Sequence, residues 1–406
     1  AKGKTSMNSP LLTRRATLAT GMAFGALGLR AARAEVTPIR IGVLADESSY
    51  SASSGGMGSV LAARMAAADF GPSVIGLPIE ILHDDIQNKA DIAATAARTW
   101  FDQGVDAVVD MPATPVAAIA TQIAQEKNKL AVITGAASVE FTTKWCKPTT
   151  IMWKDDTRAM AAASAIPAVR AGGKSWYFVT MDTAYGISQE QQVAGIVEAG
   201  GGKVLGSSRY PQNNADFSAL LLQAQSSGAQ VIGLCSVGDD FVNALKQAHE
   251  FGLTSKQQIT GFLVDLTDIH ALGATTAQGL TFAASFYWNQ NDTSRAFAKR
   301  FFAEHKAMPT REQGQVYAAT FHLLKSIAQA GTRETMAVRK ASSALPASYH
   351  GNAARVREDG RVLFDVTRYR VKAPAAIHTP WDYYEAAGTL HPDEAFSPME
   401  ANCKFV

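Results

Sequence analysis

His83, Asp84 and Asp85 are adjacent side chains of the types that bind metal ions. A metal site needs further His, Cys or carboxylate ligands at a matching spacing, as in HExxH. No second His or Glu recurs at such a spacing around this group. Acidic residues of this kind commonly end a strand, so the sequence predicts neither a metal site nor any other cofactor.

Two further motif classes would indicate enzymatic chemistry. The GGMG segment at 55–58 lacks the GxGxxG pattern of dinucleotide sites, and no Lys-Ser/Thr follows it as in a P-loop. A GxSxG nucleophile elbow does not occur in the chain. These absences disfavour a dehydrogenase or a hydrolase, and we expect a protein that is not an enzyme.

Residues 13–34, TRRATLATGMAFGALGLRAARA, have the pattern of an export signal. Arg14 and Arg15 precede an apolar run at 16–29, and a small-residue end in the Ala-x-Ala style follows. The apolar run has 14 residues, fewer than the roughly 20 that span a membrane. The arginine pair favours the twin-arginine route, but Thr17 stands where that route usually has a bulky apolar residue. We expect export to the periplasm and cleavage after Ala34, with the translocase left open.

Export would change the charge of the protein. Residues 1–34 hold six of the 38 Lys and Arg and no acid, which leaves 32 bases against 36 acids and a net charge of −4. Nucleic-acid binding requires a basic patch or stripe, so nucleic acid is not expected as a partner. The remaining chain of about 370 residues is longer than one hydrophobic core usually supports, and two lobes are expected.

The chain has three cysteines, Cys146, Cys235 and Cys403. Cys235 lies in the apolar run VIGLC, typical of a buried strand, and is expected to remain a free thiol. Cys146 and Cys403 lie in polar, turn-rich segments, and an oxidising compartment permits a disulfide between them. The alternative is two unpaired thiols.

Short β-rich runs alternate with amphipathic runs every 20 to 30 residues or so, which predicts parallel, doubly wound α/β sheets. The predicted strands are 39–44, 77–82, 107–110, 130–134, 176–180, 203–206, 231–234, 258–262, 280–284, 361–364 and 367–371. The predicted helices are 58–69, 92–101, 116–126, 189–199, 217–226, 241–251, 294–305 and 314–330. A connection near 151–155 would join two half-sheets.

Several segments together resemble a known family. They are IRIGVLADESSYSASSGGMG, GVDAVVDMPATPVAAIA, TMDTAYG, ADFSALLLQAQ and ALKQAHEFGL, and their order and spacing carry the resemblance over nearly the whole mature chain. The chain resembles type I periplasmic binding proteins, the receptors of ABC transporters for branched-chain amino acids (leucine, isoleucine and valine) and hydrophobic acids. The C-terminal segment TPWDYYEAAGTLHPDEAFSP resembles a subgroup of these receptors.

The resemblance implies two Rossmann-like lobes joined by a three-strand hinge, with residues 37–153 plus 285–335 in lobe one and 154–284 plus 336–406 in lobe two. It also implies a monomer that captures a small amino acid or related carboxylate and delivers it to permease and ATPase subunits at the inner membrane. A periplasmic sensory module and a receptor for aromatic carboxylates are the alternatives.

Two predicted βα loops in lobe one offer groups for a carboxylate. Ligands of open α/β sheets bind outside the carboxyl ends of the strands, where backbone N–H groups and helix N-termini attract anions. Pro112, Ala113 and Thr114 follow one strand end, and the segment with Ala136, Ala137 and Ser138 follows another. The resemblance implies that both loops bind the α-carboxylate, with the Ser138 and Thr114 hydroxyls as donors. The alternative is that these small residues only make turns.

The resemblance also points to residues that would surround the rest of the solute. Tyr185, in DTAYG, matches a tyrosine that covers the ligand in relatives. Ser54 falls near the position of an aromatic wall in leucine receptors, and this difference weakens the case for a leucine-like pocket. Asp265 lies near the acidic position that pairs with an α-amino group, although it could instead cap a helix. Phe286, in a predicted crossover segment, is a further candidate for the cleft wall.

Cleavage of the signal is the first testable prediction. Because Ala32 and Ala34 form a small-residue cleavage pattern, protein recovered from the periplasm should begin at Glu35, as read by intact mass spectrometry. Exported protein that retains Arg14 and Arg15 would contradict it.

Overall fold

The computed structural model describes residues 37–405, so the predicted signal at 1–34 lies outside the described residues. The first sheet contains six strands in the order β2-β3-β1-β4-β5-β6, with every neighbouring pair parallel except β2 and β3. The strands are β1 (Ile39–Ala45), β2 (Ser73–Val74), β3 (Leu77–Asp85), β4 (Ala107–Asp110), β5 (Leu130–Ile133) and β6 (Thr150–Met152). The helices between them are α1 (Gly56–Phe70), α2 (Ala90–Asp102) and α3 (Thr114–Glu126).

The second sheet has a parallel part of five strands. These are β7 (Ser175–Met181), β8 (Lys203–Tyr210), β9 (Val231–Cys235), β10 (Gln258–Gly261) and β11 (Thr281–Ala284). The helices that accompany them are α4 (Thr157–Arg170), α5 (Ala184–Ala199), α6 (Ser218–Ser226), α7 (Gly238–Glu250), α8 (Leu266–Leu272) and α9 (Ala274–Ala277). The predicted α/β class is therefore confirmed.

The C-terminal third of the chain contributes to both halves. Helices α10 (Asp292–His305) and α11 (Arg311–Ala330) pack on α1, and α12 (Thr335–Ala344) packs on α11. A small antiparallel sheet follows, formed by β12 (Pro346–Tyr349), β13 (Asn352–Val356) and β14 (Val362–Leu363). Strands β15 (Val366–Val371) and β16 (Tyr384–Leu390) then complete the second sheet in the order β16-β15-β11-β10-β9-β7-β8, before α13 (Pro392–Ala395).

Three connections run between the two halves: β6 to α4, β11 to α10 and β14 to β15. The proposed lobe boundaries stay a prediction, but residues 335–363 pack with α11 and the first sheet rather than with the second. Helix α12 follows α11 after a short turn and therefore packs against the helix it follows. Only β15, β16 and the segments around them extend the second sheet.

Several elements were not predicted from the sequence. Helix α4 contains Pro167 and is buried around most of its circumference, so it lacks the one-sided apolar pattern that identifies a surface helix. The short strands β6, β12, β13 and β16 were also missed. None of the helices within residues 37–405 combines the length and apolar character needed to span a membrane.

A disulfide joins Cys146 to Cys403, the pair favoured by the sequence, with the two Cα atoms 5.8 Å apart. It ties the end of the chain to the loop between β5 and β6. Cys235 is a buried thiol whose pKa is raised well above its usual value by burial, so it is a poor competitor for disulfide exchange.

Replacing Cys146 and Cys403 together by serine should lower the free energy of unfolding, because the bridge closes a loop spanning 257 positions. Chain-entropy models give on the order of 4 to 5 kcal/mol, usually an overestimate. Urea unfolding of the exported protein, with and without reductant, measures the effect. Non-reducing peptide mapping that finds both cysteines as free thiols would contradict the bridge.

Candidate functional site

A cleft of about 180 Å³ lies between the carboxyl ends of the two sheets. Its first-half wall comes from the loops after β1, β3, β4 and β5, together with Glu312 at the start of α11. Its second-half wall comes from the loops after β7, β8, β9 and β10. Parallel strands aim these loops to one edge of each sheet, which is where open α/β folds bind ligands.

The loop after β1 is fixed by the buried carboxylate of Asp46. Asp46 accepts hydrogen bonds from the Ser49 and Ser51 backbone amides, both at 2.8 Å, and from the Asn88 side-chain amide at 2.6 Å. These bonds place Tyr50 and Ser51 on the cleft wall. Hydrogen bonds to Asp46 therefore hold the loop in place, two from within the loop and one from Asn88 after β3.

Helix α3 presents its N-terminus to the cleft, and Ala113, Thr114 and Pro115 line the wall there. The buried Thr114 hydroxyl has no protein partner. Asp110 and Met111, just before this loop, have positive φ angles of 81° and 64°, a strained backbone of the kind often found at binding sites. Pro115 has no N–H, so the donors at this helix start are the Thr114 and Val116 amides and the Thr114 hydroxyl, a group suited to a carboxylate.

Gly135, after β5, allows this loop to approach the one after β4. A Cβ on Gly135 would lie 2.5 Å from the Pro112 Cα and 2.9 Å from the Met111 carbonyl oxygen. Any larger residue would push the two loops apart. The close contact brings Ala137 to the cleft wall beside Ala113.

Two longer helices of the second half, α5 and α7, also start at the cleft, with Thr183 and Val237 as their N-caps. The Tyr185 hydroxyl is buried without a protein partner, and burial raises its pKa well above the usual value, so it is a neutral phenol. Gly238 has a φ of 56°, and a Cβ there would lie 3.5 Å from the Tyr50 carbonyl oxygen. The two halves therefore meet at Tyr50 and Gly238.

Arg311 lies buried below the cleft and links both halves. Its guanidinium lies 3.0 Å from Asp155, in the connection between β6 and α4, and 3.4 Å from Asp265 in the second half. Asp265 also caps α8 in a capping box with Asp268. Asp265 thus has the helix-capping role considered from the sequence and still lines the cleft.

The acids around the cleft outnumber the bases. Burial, followed by repulsion from Asp265, raises the pKa of Asp268 to about 8. Burial and the Glu312 charge likewise raise the pKa of Asp110 well above its usual value. Burial also raises the pKa of Glu312, although Lys154, 3.5 Å from its carboxylate, opposes the shift. Burial therefore favours the protonated forms of Asp110 and Asp268, and a cationic ligand group would favour their ionised forms.

Six of the nine residues predicted for the site line the cleft: Ser54, Ala113, Thr114, Ala137, Tyr185 and Asp265. The structure does not bring the other three to its wall. The Ser138 hydroxyl accepts a hydrogen bond from the Glu140 amide at 3.3 Å and so caps a short turn. Ala136 packs into the apolar layer on one face of the first sheet, and Phe286 packs against Gly314 and His350.

Sequence reasoning missed Asn88, Gln212, Glu312 and Asp268 as cleft residues. Asn88 and Gln212 follow strand ends, which is the signal that could have identified them. Glu312 lies in the first turn of α11, where Thr310 and Gln313 form a capping box that is readable from the sequence. Within the described residues, no group of three or more His, Cys, Asp and Glu side chains is arranged to hold a metal ion.

Comparison with known proteins agrees with this geometry. The family model described as periplasmic binding protein matches residues 38–376. A solved periplasmic binding protein from Burkholderia mallei is 38% identical and superimposes with a TM-score of 0.86, covering 91% of this chain and 98% of the other. A branched chain amino acid ABC transporter periplasmic ligand-binding protein from Burkholderia xenovorans LB400 is 36% identical, with a TM-score of 0.82 and coverage of 89% and 97%.

A curated relative, Leu/Ile/Val-binding protein homolog 6 of Brucella melitensis, is 26% identical over 220 residues. The match covers 53% of this chain and spans about half the length of that relative, 56%. The resemblance drawn from the sequence segments is confirmed: the chain belongs to the periplasmic binding protein family and has the type I fold of receptors for branched-chain amino acids.

Proposed function

We propose that this protein is the periplasmic receptor of an ABC importer, which captures a small amino acid or related carboxylate in its cleft and delivers it to a membrane permease. The observation that carries the proposal is the distribution of charge in the cleft. The N-terminus of α3, on the first-half wall, has no acidic residue in its first turn, whereas the buried carboxyl groups of Asp265 and Asp268 lie at the start of α8 on the second-half wall. A zwitterion has both complementary groups.

The α3 N-terminus is the proposed carboxylate site. Thr114 has the only hydroxyl at this helix start, and that hydroxyl is buried without a partner in the described chain. A carboxylate there would accept hydrogen bonds from the helix amides and from Thr114, and the helix dipole would favour its charge.

Asp265 is the proposed contact for an α-amino group. Asp265 shares Arg311 with Asp155. The Arg311 guanidinium lies 3.0 Å from the Asp155 carboxylate and 3.4 Å from the Asp265 carboxylate. Asp155 thus takes the larger part of the arginine charge. Asp265 keeps acceptor capacity for an ammonium group, whereas a plain acid anion would be repelled there.

The contact at Tyr50 and Gly238 supports a mechanism of docking followed by closure. The solute would first bind the loops of the first half, and the second half would then close with Tyr185 over it. The ligand shifts this equilibrium only by its differential affinity for the closed state.

A sensory role in the periplasm uses the same cleft, and genomic neighbours discriminate it from transport. Genes for two permeases and two ATPases beside this gene would support the importer, whereas a sensor kinase gene would support signalling.

The ligand class is tested by a thermal-shift screen of refolded protein against L-amino acids and aromatic and aliphatic carboxylates. Ligand at about 100 times its dissociation constant adds about 2.7 kcal/mol to stability, which such a screen detects.

Replacing Thr114 by valine should weaken binding of the best ligand in that screen by about ten- to a hundredfold, because a hydrogen bond to a charged group contributes roughly 1.5 to 3 kcal/mol. Isothermal titration calorimetry measures the change. Thr121→Val is the matched control: Thr121 lies on the same helix and donates to the Ala118 carbonyl oxygen within it. Equal affinities in wild type and Thr114→Val would place the carboxylate elsewhere.

Replacing Asp265 by asparagine separates two ligand classes while keeping a good helix cap. Binding of an amino acid such as L-leucine should fall, because the ammonium group loses its counter-charge. Binding of a plain carboxylate such as benzoate should be equal or tighter. Calorimetric titration of wild type and variant with both compounds gives the result, and unchanged amino-acid affinity would remove Asp265 from the amine site.

A further inference from the structure

We propose that the first-half wall of the cleft recognises a second, cationic nitrogen group on the ligand, through Glu312 and Asn88, so that the solute is a basic amino acid. The inference rests on the proposed function, since it takes the carboxylate and α-amino contacts above as given. It concerns the part of the cleft that would receive the ligand's side chain.

The larger aliphatic side chains of the cleft lie on one of its two walls. Its larger aliphatic lining residues are Met181, Val237 and Leu263, and all three belong to the second half. The first-half wall is formed by Tyr50, three serines, Asn88 and Glu312, together with prolines and small residues of the α3 and β5 loops. Burying an aliphatic side chain against this wall would leave its polar groups without water or partners, at a cost in binding free energy.

Asn88 presents an unused acceptor to this wall. Its amide nitrogen donates to Asp46 at 2.6 Å and to the Ser51 hydroxyl at 2.8 Å. Because a carboxylate can only accept, these bonds fix which end of the amide is the nitrogen. The Asn88 Oδ1 atom is therefore the free end, and it is buried without a partner. Asn88 and its neighbour Gln87 have φ angles near 50°, a strained turn that holds this side chain in place.

Glu312 provides the charge. Its side chain is 5% exposed, and one carboxylate oxygen lies 3.5 Å from Lys154. The other oxygen packs against Gly55, where a Cβ would collide with it, so glycine makes room for the carboxylate. The carboxylate also lies within hydrogen-bonding reach of Asp110, whose protonated form is favoured by burial. One hydrogen bond from Asp110 leaves further lone pairs of Glu312 for a ligand.

The cleft wall carries acidic side chains and no basic one. Among the described residues that line the cleft, three are acidic (Asp265, Asp268 and Glu312) and none is Lys, Arg or His. Arg311 pairs with Asp155 and Asp265 behind the wall, and Lys154 lies 3.5 Å from one oxygen of Glu312. An ammonium or guanidinium group would donate charge-assisted hydrogen bonds to the remaining lone pairs of Glu312 and to the free Asn88 oxygen.

The experiment is calorimetric titration of the exported protein with L-arginine, L-lysine, L-glutamine, L-leucine and benzoate, in wild type, Glu312→Gln and a control. The control is Glu80→Gln, an acid on β3 of the same half that pairs with Arg40 outside the cleft. We expect L-arginine or L-lysine to bind wild type most tightly. In Glu312→Gln their affinity relative to L-leucine should fall by about tenfold or more, the loss of one charge-assisted hydrogen bond, and Glu80→Gln should not change it.

The ratio of affinities within one variant is the decisive readout, because it does not depend on any loss of stability when Lys154 is left without Glu312. Tighter binding of L-leucine or L-glutamine than of both cations, or an unchanged ratio in Glu312→Gln, would overturn the inference and leave the amino-acid receptor intact. Binding of benzoate with no amino acid bound at all would instead overturn the proposed amino-acid class, and the inference with it.

Discussion

The buried ion pair between Asp155 and Arg311 is the interaction on which the arrangement of the two halves depends. Asp155 lies in one connection between the halves and also accepts from the Ser285 amide in a second connection and from Gln315 on α11. Burial alone would raise the pKa of Asp155, but Arg311 and then Lys154 hold it below the usual value, so the carboxylate stays ionised. Removing one partner of such a pair leaves an uncompensated buried charge, which costs roughly 3 to 5 kcal/mol.

A second buried pair lies next to the first. The fully buried Arg361, in the turn between β13 and β14, contacts Asp156 and the Lys154 carbonyl oxygen, next to Asp155 in the chain. Consecutive residues of the first connection thus face the second connection and the turn that leads, through β14, into the third. Arg311 contacts Asp155 in the first connection and Asp265 at the cleft wall. A change of charge at Asp265 therefore acts on an ion pair that joins the two halves.

The cleft combines two kinds of electrostatic feature that oppose each other. Helix N-termini attract anions, and the surplus of carboxyl groups attracts cations or retains protons. Burial raises the pKa of Asp110 and that of Asp268, which favours their protonated forms and so reduces repulsion in the absence of a cation. A receptor arranged in this way gains affinity from a ligand that carries both signs of charge at the right separation, and this separation is set by the distance between the α3 loop and the acids below it.

The sequence by itself determined the alternation of strands and helices and the pairing of Cys146 with Cys403 as a permitted bridge. Six of the nine residues predicted for the site also line the cleft. The alternation and the loops with Ala113, Thr114 and Ala137 depend on local pattern and on the rule that loops after parallel strands meet at one edge. Ser54, Tyr185 and Asp265 were implied by the resemblance to the family. Only the tertiary structure decided that Ser138 caps a turn, that Asp265 shares Arg311, and that Glu312 reaches the cleft from α11. The Ser138 cap is a local contact with Glu140, but a serine after a strand can either cap a turn or face a ligand, and the sequence pattern is the same for both. The partners of Arg311 lie 46 and 156 positions away, and contacts at such separations leave no periodic signal in the sequence.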